Sequence, residues 1–119
     1  MASFPEAPPV MTRAYLGEFE ELVLLTVAVL EGQAYGVTVA AELKQRTNRT
    51  ISLSGVHIAL YRLEEKGFVL SELGGATTAR GGRRKRFFMV TAQGKQTLSE
   101  IRDVRNQLWD SIPTTPSLT

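Results

Sequence analysis

The chain has 119 residues, 43% of them apolar and 22% charged, and a net charge of +2. That length supports one domain with a modest core, and the composition is that of an ordinary globular protein. It holds no cysteine and one histidine, His57, so disulfides, thiol nucleophiles and the usual Cys/His zinc sets are excluded.

The small net charge is unevenly placed. From Ala76 onward basic residues outnumber acidic ones eight to three, and before it acids lead nine to six. Such local imbalance matters more to a polyanionic partner than the total does. The longest apolar stretch, Leu22 to Leu30, is interrupted by Thr26 and is too short to span a bilayer. The N-terminus shows no basic-then-apolar leader pattern. Together with the missing cysteines, this predicts a soluble, cytoplasmic protein.

Residues 1–15 include Pro5, Pro8 and Pro9 without a periodic apolar pattern, and read as a flexible arm. From Leu16, the residues Phe19, Leu22, Val23, Thr26, Val29 and Leu30 recur at helical steps. Glu18, Glu20 and Glu21 suit the positive end of that helix, and Gly32 stops it. A second helix, Val37 to Arg46, follows Tyr35-Gly36 and buries Val39, Ala40 and Leu43. Thr47 to Thr50 is a turn, and Ile51-Ser52-Leu53 reads as a brief extended strand.

The third helix, Ser54 to Lys66, organises the rest. Ser54 suits its N-cap, and Gly67 suits the left-handed position that ends it. Val56, Ala59, Leu60 and Leu63 share an apolar face. Ile58, Tyr61, Arg62 and Glu65 lie opposite, with Gly55 and His57 near the N-terminal end. Two strands follow, Phe68 to Glu72 and Lys85 to Val90, joined by a segment holding Gly74, Gly75, Gly81 and Gly82. Thr91 caps a final helix, Ala92 to Ile112, which Pro113 and Pro116 end. The fold class is α+β, mainly α. Residues 16–90 form a winged helix-turn-helix, 91–112 a C-terminal dimerisation helix, and 113–119 a disordered tail.

Catalysis finds little support. No Walker loop is present, and Gly81-Gly82 lacks the strand-to-helix setting of a dinucleotide fingerprint. The chain is expected to be no enzyme and to need neither cofactor nor metal.

A helix with one buried stripe and a mixed outer face can lie in a DNA major groove. The candidate contacts there are Ser54, Gly55, His57, Ile58, Tyr61 and Arg62. Arg80, Arg83, Arg84, Lys85 and Arg86 place five positive charges within seven residues, flanked by glycine and by Phe87-Phe88. Alone, such a run reads as a solvated loop; on a wing beside a groove helix it reads as a set of phosphate contacts. Strand alternation lets only about half of the run meet one phosphate backbone.

Several residues keep two readings. His57 either donates to a phosphate or base edge, or packs half-buried. Ile58 and Tyr61 either touch thymine methyls and sugar edges, or pack under the wing. Arg62 either reaches phosphate or pairs with Glu64 or Glu65 on its own helix.

On the final helix, Leu98, Ile101, Leu108 and Ile112 follow at three, seven and four residue steps. Val104 is adjacent and Arg105 takes the remaining seam position. A small domain cannot cover that whole stripe, which predicts a homodimer. Trp109 beside it is either interface packing or a ligand platform.

A series of segments now falls into order: Leu16-Gly17-Glu18-Phe19-Glu20-Glu21-Leu22-Val23-Leu24-Leu25, Ala34-Tyr35-Gly36-Val37, and Arg62-Leu63-Glu64-Glu65-Lys66-Gly67. Arg80-Gly81-Gly82-Arg83 through Phe87-Phe88 and Thr91-Ala92-Gln93-Gly94 complete it. In this series the chain resembles the PadR family of bacterial transcriptional regulators, from about Leu16 to Asp110. The family usually has tyrosine where His57 stands, and commonly glycine and alanine or threonine at Ser54 and Gly55. The resemblance implies a homodimer joined mainly through the final helix, with two winged helices meeting palindromic double-stranded DNA. It implies a short member of a family made up mostly of repressors, some of which bind a flat aromatic effector at the dimer centre. The rival reading is a winged-helix module that binds protein and not DNA, with little salt dependence and an unimportant wing tip.

Overall fold

Three helices and a two-stranded wing enclose the core, and a fourth helix leads away from it. The computed structural model describes residues 16–74 and 84–114. The expected arm (1–15), most of the glycine-rich connection (75–83) and the end of the tail (115–119) lie outside the described residues. In chain order the elements are α1 (Glu18–Val29), α2 (Gly36–Thr47), α3 (Leu53–Glu65), β1 (Val69–Leu73), β2 (Arg86–Val90) and α4 (Ala92–Asp110).

Helix α1 buries Val23, Leu24, Thr26 and Val27. Its inward face is therefore rotated from the one expected, because Val29 is exposed while Leu24 and Val27 enter the core. Leu22 to Leu25 is an uninterrupted apolar run, so periodicity within the helix cannot choose its face. Contact with α2 and α3 decides it. Gly32, beyond the helix end, takes a left-handed φ of 85°.

The segment before α2 supplies a rung to the sheet: Phe88 N–H donates to the Ala34 carbonyl at 2.8 Å. This corrects the expected strand at Ile51-Ser52-Leu53. Residues 48–52 form no strand, and Leu53 already belongs to α3. Helix α2 buries Val39 and Leu43 and leaves Ala40 half-buried. Asn48 ends it in the left-handed region at φ 59°, its N–H donating to the Lys44 carbonyl at 2.8 Å.

The start of α3 differs from expectation by two residues. Ser52 is the N-cap, its Oγ accepting from Gly55 N–H at 3.0 Å, and Ser54 lies inside the first turn. Both serines have cap chemistry; Leu53, once helical, leaves the role to Ser52. The other end matches the expectation for Gly67. Gly67 N–H donates to Glu64 and Phe68 N–H to Leu63, at 3.0 and 2.9 Å, with Gly67 at φ 83°. These are the paired bonds of a Schellman ending, and Phe68 and Leu63 supply its buried apolar pair.

Val56, Ala59, Leu60 and Leu63 are all buried, as their spacing predicts. Full burial of side chains of this size contributes about 1.5–3 kcal/mol each for the larger ones. The strands pair antiparallel, with Leu70 opposite Met89 and Ser71 opposite Phe88. Val69 and Phe88 close the core from the sheet.

Helix α4 is locked at its start. Thr91 Oγ1 accepts from Gly94 N–H at 3.0 Å and donates to the Gly67 carbonyl at 2.7 Å. Gly94 lies so close to the start of the sheet that a Cβ there would collide with the Phe68 carbonyl oxygen, just before β1, and with Val90 of β2. Among the described residues, no helix is long and apolar enough to cross a membrane.

Candidate nucleic-acid interface

The geometry of α3 follows from its two caps and its four buried residues. With one face closed, the helix presents Ser54, Ile58, Tyr61 and Glu65 along the other, all exposed. Ile58 and Tyr61 are each 52% exposed, so neither is covered by the wing. Gly55 approaches Ser52 Oγ closely, because a Cβ there would lie 2.9 Å from it.

His57 is half-buried at the flank of this surface. Its ring packs on the start of α2: a Cβ at Gly36 would lie 2.5 Å from Nε2. The glycine of Tyr35-Gly36 thus makes room for the imidazole. The ring centroid lies 6.3 Å from that of Tyr61, so His57 also backs the exposed tyrosine.

Arg62 pairs with neither Glu64 nor Glu65. Its Nη1 lies 3.9 Å from Glu20 Oε2, across on α1. Glu64 instead accepts from Ser71 Oγ at 2.8 Å, and Ser71 Oγ accepts from Arg86 Nη1 at 3.0 Å. That relay turns Arg86 toward the α3 side of the wing.

Lys85 lies on the other side. Its Nζ sits 4.9 Å from the centroid of the Tyr35 ring, whose edge meets Phe87 at a centroid distance of 5.2 Å. Lys85, just before β2, and Arg86, its first residue, thus point to opposite sides, as extended backbone requires. Arg84 is exposed, and Arg80 and Arg83 lie outside the described residues.

The first turn of α1 joins these parts by charge. Glu18 receives a forked bond from Arg49, at 2.8 and 3.3 Å, in the turn between α2 and α3. Glu20 accepts from Lys66 Nζ at 2.6 Å, and Glu21 from Arg105 Nη2 of α4 at 2.7 Å. The exposed Glu18–Arg49 pair contributes little stability, whereas the side chains of Glu20 and Glu21 are only 13% and 14% exposed.

Along α4, Leu98 and Ile101 are half-buried and Val104 is exposed. Leu108, Trp109 and Ile112 stand out further, with Leu108 65% and Trp109 70% exposed. Trp109, Leu25 and Leu98 line an open groove of about 400 Å³ between α1 and α4, with Arg102, Arg105 and Asn106 at its polar edge. Among the described residues there is no cluster of three or more His, Cys, Asp or Glu suited to a metal.

Five participants were not legible locally. Tyr35, Ser71 and the α1 glutamates act through partners distant in sequence, and no periodicity marks such pairings.

The transcriptional regulator PadR-like family matches residues 24–100. Among solved structures, a PadR-like transcription factor from Bacteroides fragilis aligns with TM-score 0.66 at 21% identity, covering 87% of this chain and 92% of that one. A PadR family regulator from Eggerthella lenta aligns with TM-score 0.63 at 22% identity, covering 87% and 84%. A PadR family regulator from Clostridium difficile aligns with TM-score 0.57 at 27% identity, covering 78% and 99%. No curated protein matches. The winged-helix fold is shared with these structures, and the chain belongs to the PadR-like family of transcriptional regulators.

Proposed function

We propose that the protein is a cytoplasmic, homodimeric repressor that reads a palindromic DNA operator and responds to a small aromatic effector. Helix α3 enters the major groove of each half-site. Ser54, Gly55, Ile58 and Tyr61 meet base and sugar edges, with His57 behind them and Arg62 toward phosphate. Arg80, Arg83, Arg84, Lys85 and Arg86 meet the phosphate backbone from the wing. Leu98, Ile101, Val104, Arg105, Leu108, Trp109 and Ile112 face the second protomer, and Trp109 also offers a flat surface to the effector.

The observation that carries the reading is the outer face of α3. An isoleucine and a tyrosine stay half exposed beside basic residues, on a helix whose opposite face is fully buried. A solvated helix gains nothing from that pair, whereas thymine methyls and sugar edges suit it.

The test compares a duplex enriched by the wild type from a randomised pool with a random-sequence duplex. Tyr61→Ala and Ile58→Ala lower the preference for the enriched duplex, each lost base contact costing about 1–3 kcal/mol. Arg83→Ala with Arg84→Ala weakens both duplexes alike and reduces the log–log salt slope by about one per lost phosphate contact. Unchanged preference in the α3 variants would remove the reading role from this helix.

A further inference from the structure

Glu20 lies beneath the outer face of α3 and answers two of its cations. Its side chain is 13% exposed, whereas that of Arg62 above it is 64% exposed. The two contacts are unequal. Lys66 Nζ donates to Glu20 Oε1 at 2.6 Å, a full charge-assisted bond. Arg62 Nη1 stands 3.9 Å from Glu20 Oε2, near enough for attraction and too far for a hydrogen bond. Glu20 also lines a cleft of about 300 Å³ with Gly55, Ile58 and Arg62. Its charge therefore acts on the surface that α3 offers to a duplex. Glu18 beside it is engaged with Arg49, which leaves Glu20 as the acid paired with Arg62.

We infer that Glu20 is a built-in counter-charge that restrains phosphate binding by α3 and so limits affinity for any duplex. The inference rests on the DNA-binding reading above. Affinity for any duplex grows with the number of phosphates neutralised by cations that are free to do so. A cation already answered by a fixed carboxylate adds less, because that carboxylate remains and repels the phosphate. Glu20 thus lowers sequence-independent affinity, acting mainly through Arg62 as a positioning residue.

Glu20→Gln keeps the side-chain shape and an acceptor oxygen for Lys66, and removes only the charge. On a random-sequence duplex, this variant binds roughly threefold to tenfold tighter near physiological salt, with a log–log salt slope steeper by about one. The gain on the duplex enriched by the wild type is similar, so the preference ratio holds. Adding Arg62→Ala diminishes the gain, as a double-mutant cycle requires of two coupled groups, and what remains acts through Lys66. Arg62→Ala alone, with Glu20 intact, reduces the salt slope by clearly less than one.

Unchanged or weaker random-duplex binding by folded Glu20→Gln would overturn the inference, as would a gain that Arg62→Ala leaves undiminished. A full unit of slope lost by Arg62→Ala alone would also overturn it, without recourse to the Glu20 variant. In each case wild-type binding to duplex leaves the DNA reading intact. A wild type that binds neither duplex overturns that reading and this inference together.

Discussion

Within α4, the turns from Ala92 to Ile101 are held by Thr91, by the close approach of Gly94 to Phe68 and by the burial of Thr97. From Arg102 to the end of the helix every residue is exposed, Val104, Leu108 and Trp109 among them. Apolar residues recur in both halves, so the difference is one of partner and not of pattern. In the first half the stripe is answered by the wing and by α1. The second half carries its stripe past the domain, where only another surface can answer it. An apolar stripe thus predicts burial but not by what, and the point where the domain's own packing ends marks the candidate interface.

Substitutions sharpen this contrast in a graded way. The largest expected loss is at Phe68, buried under the start of α4: Phe68→Ala costs about 3–5 kcal/mol in chemical denaturation. Gly94→Ala forces a methyl against the Phe68 carbonyl and Val90, and costs about 1–3 kcal/mol by overpacking. A neutral Gly94→Ala would break the claim that the first half is clamped. Thr91→Ala removes the cap and the bond to Gly67, and costs about 1–2 kcal/mol of thermal stability.

The other half should respond differently. At protein concentrations where the wild type is monomeric, Leu108→Glu shifts folding stability by no more than about 0.5 kcal/mol. At higher concentration it places unpaired carboxylates in the proposed seam and weakens dimerisation at least about tenfold, as sedimentation would record. A large loss of monomer stability in this variant would mean that Leu108 serves its own domain.

The sequence made the parts governed by local period and caps readable. The buried face of α3, the glycine ending at Gly67 and the cap at Thr91 each follow from neighbours a few residues away. Where two candidates compete locally, it misleads: Ser52 and Ser54 both suit a cap, and Leu22 to Leu25 suits more than one face. What depends on distant partners is not readable at all. Tyr35 under Lys85 and Phe87, the Ala34 rung to Phe88, and the separate pairings of Glu18, Glu20 and Glu21 arise only when the chain folds. For the candidate site, the exposed line of Ile58 and Tyr61 was legible because it is the complement of the buried stripe. The packing of His57 on Gly36 was not, since it joins two helices.

The central claim is that two copies of α3, joined through the second half of α4, read DNA together. Selection of a randomised duplex pool by the wild-type protein tests it most directly. The account predicts enrichment of an inverted repeat whose half-sites are centred about one helical turn apart, roughly 10 base pairs. A pool left without any enriched motif, or one dominated by a single unrepeated motif, would contradict it.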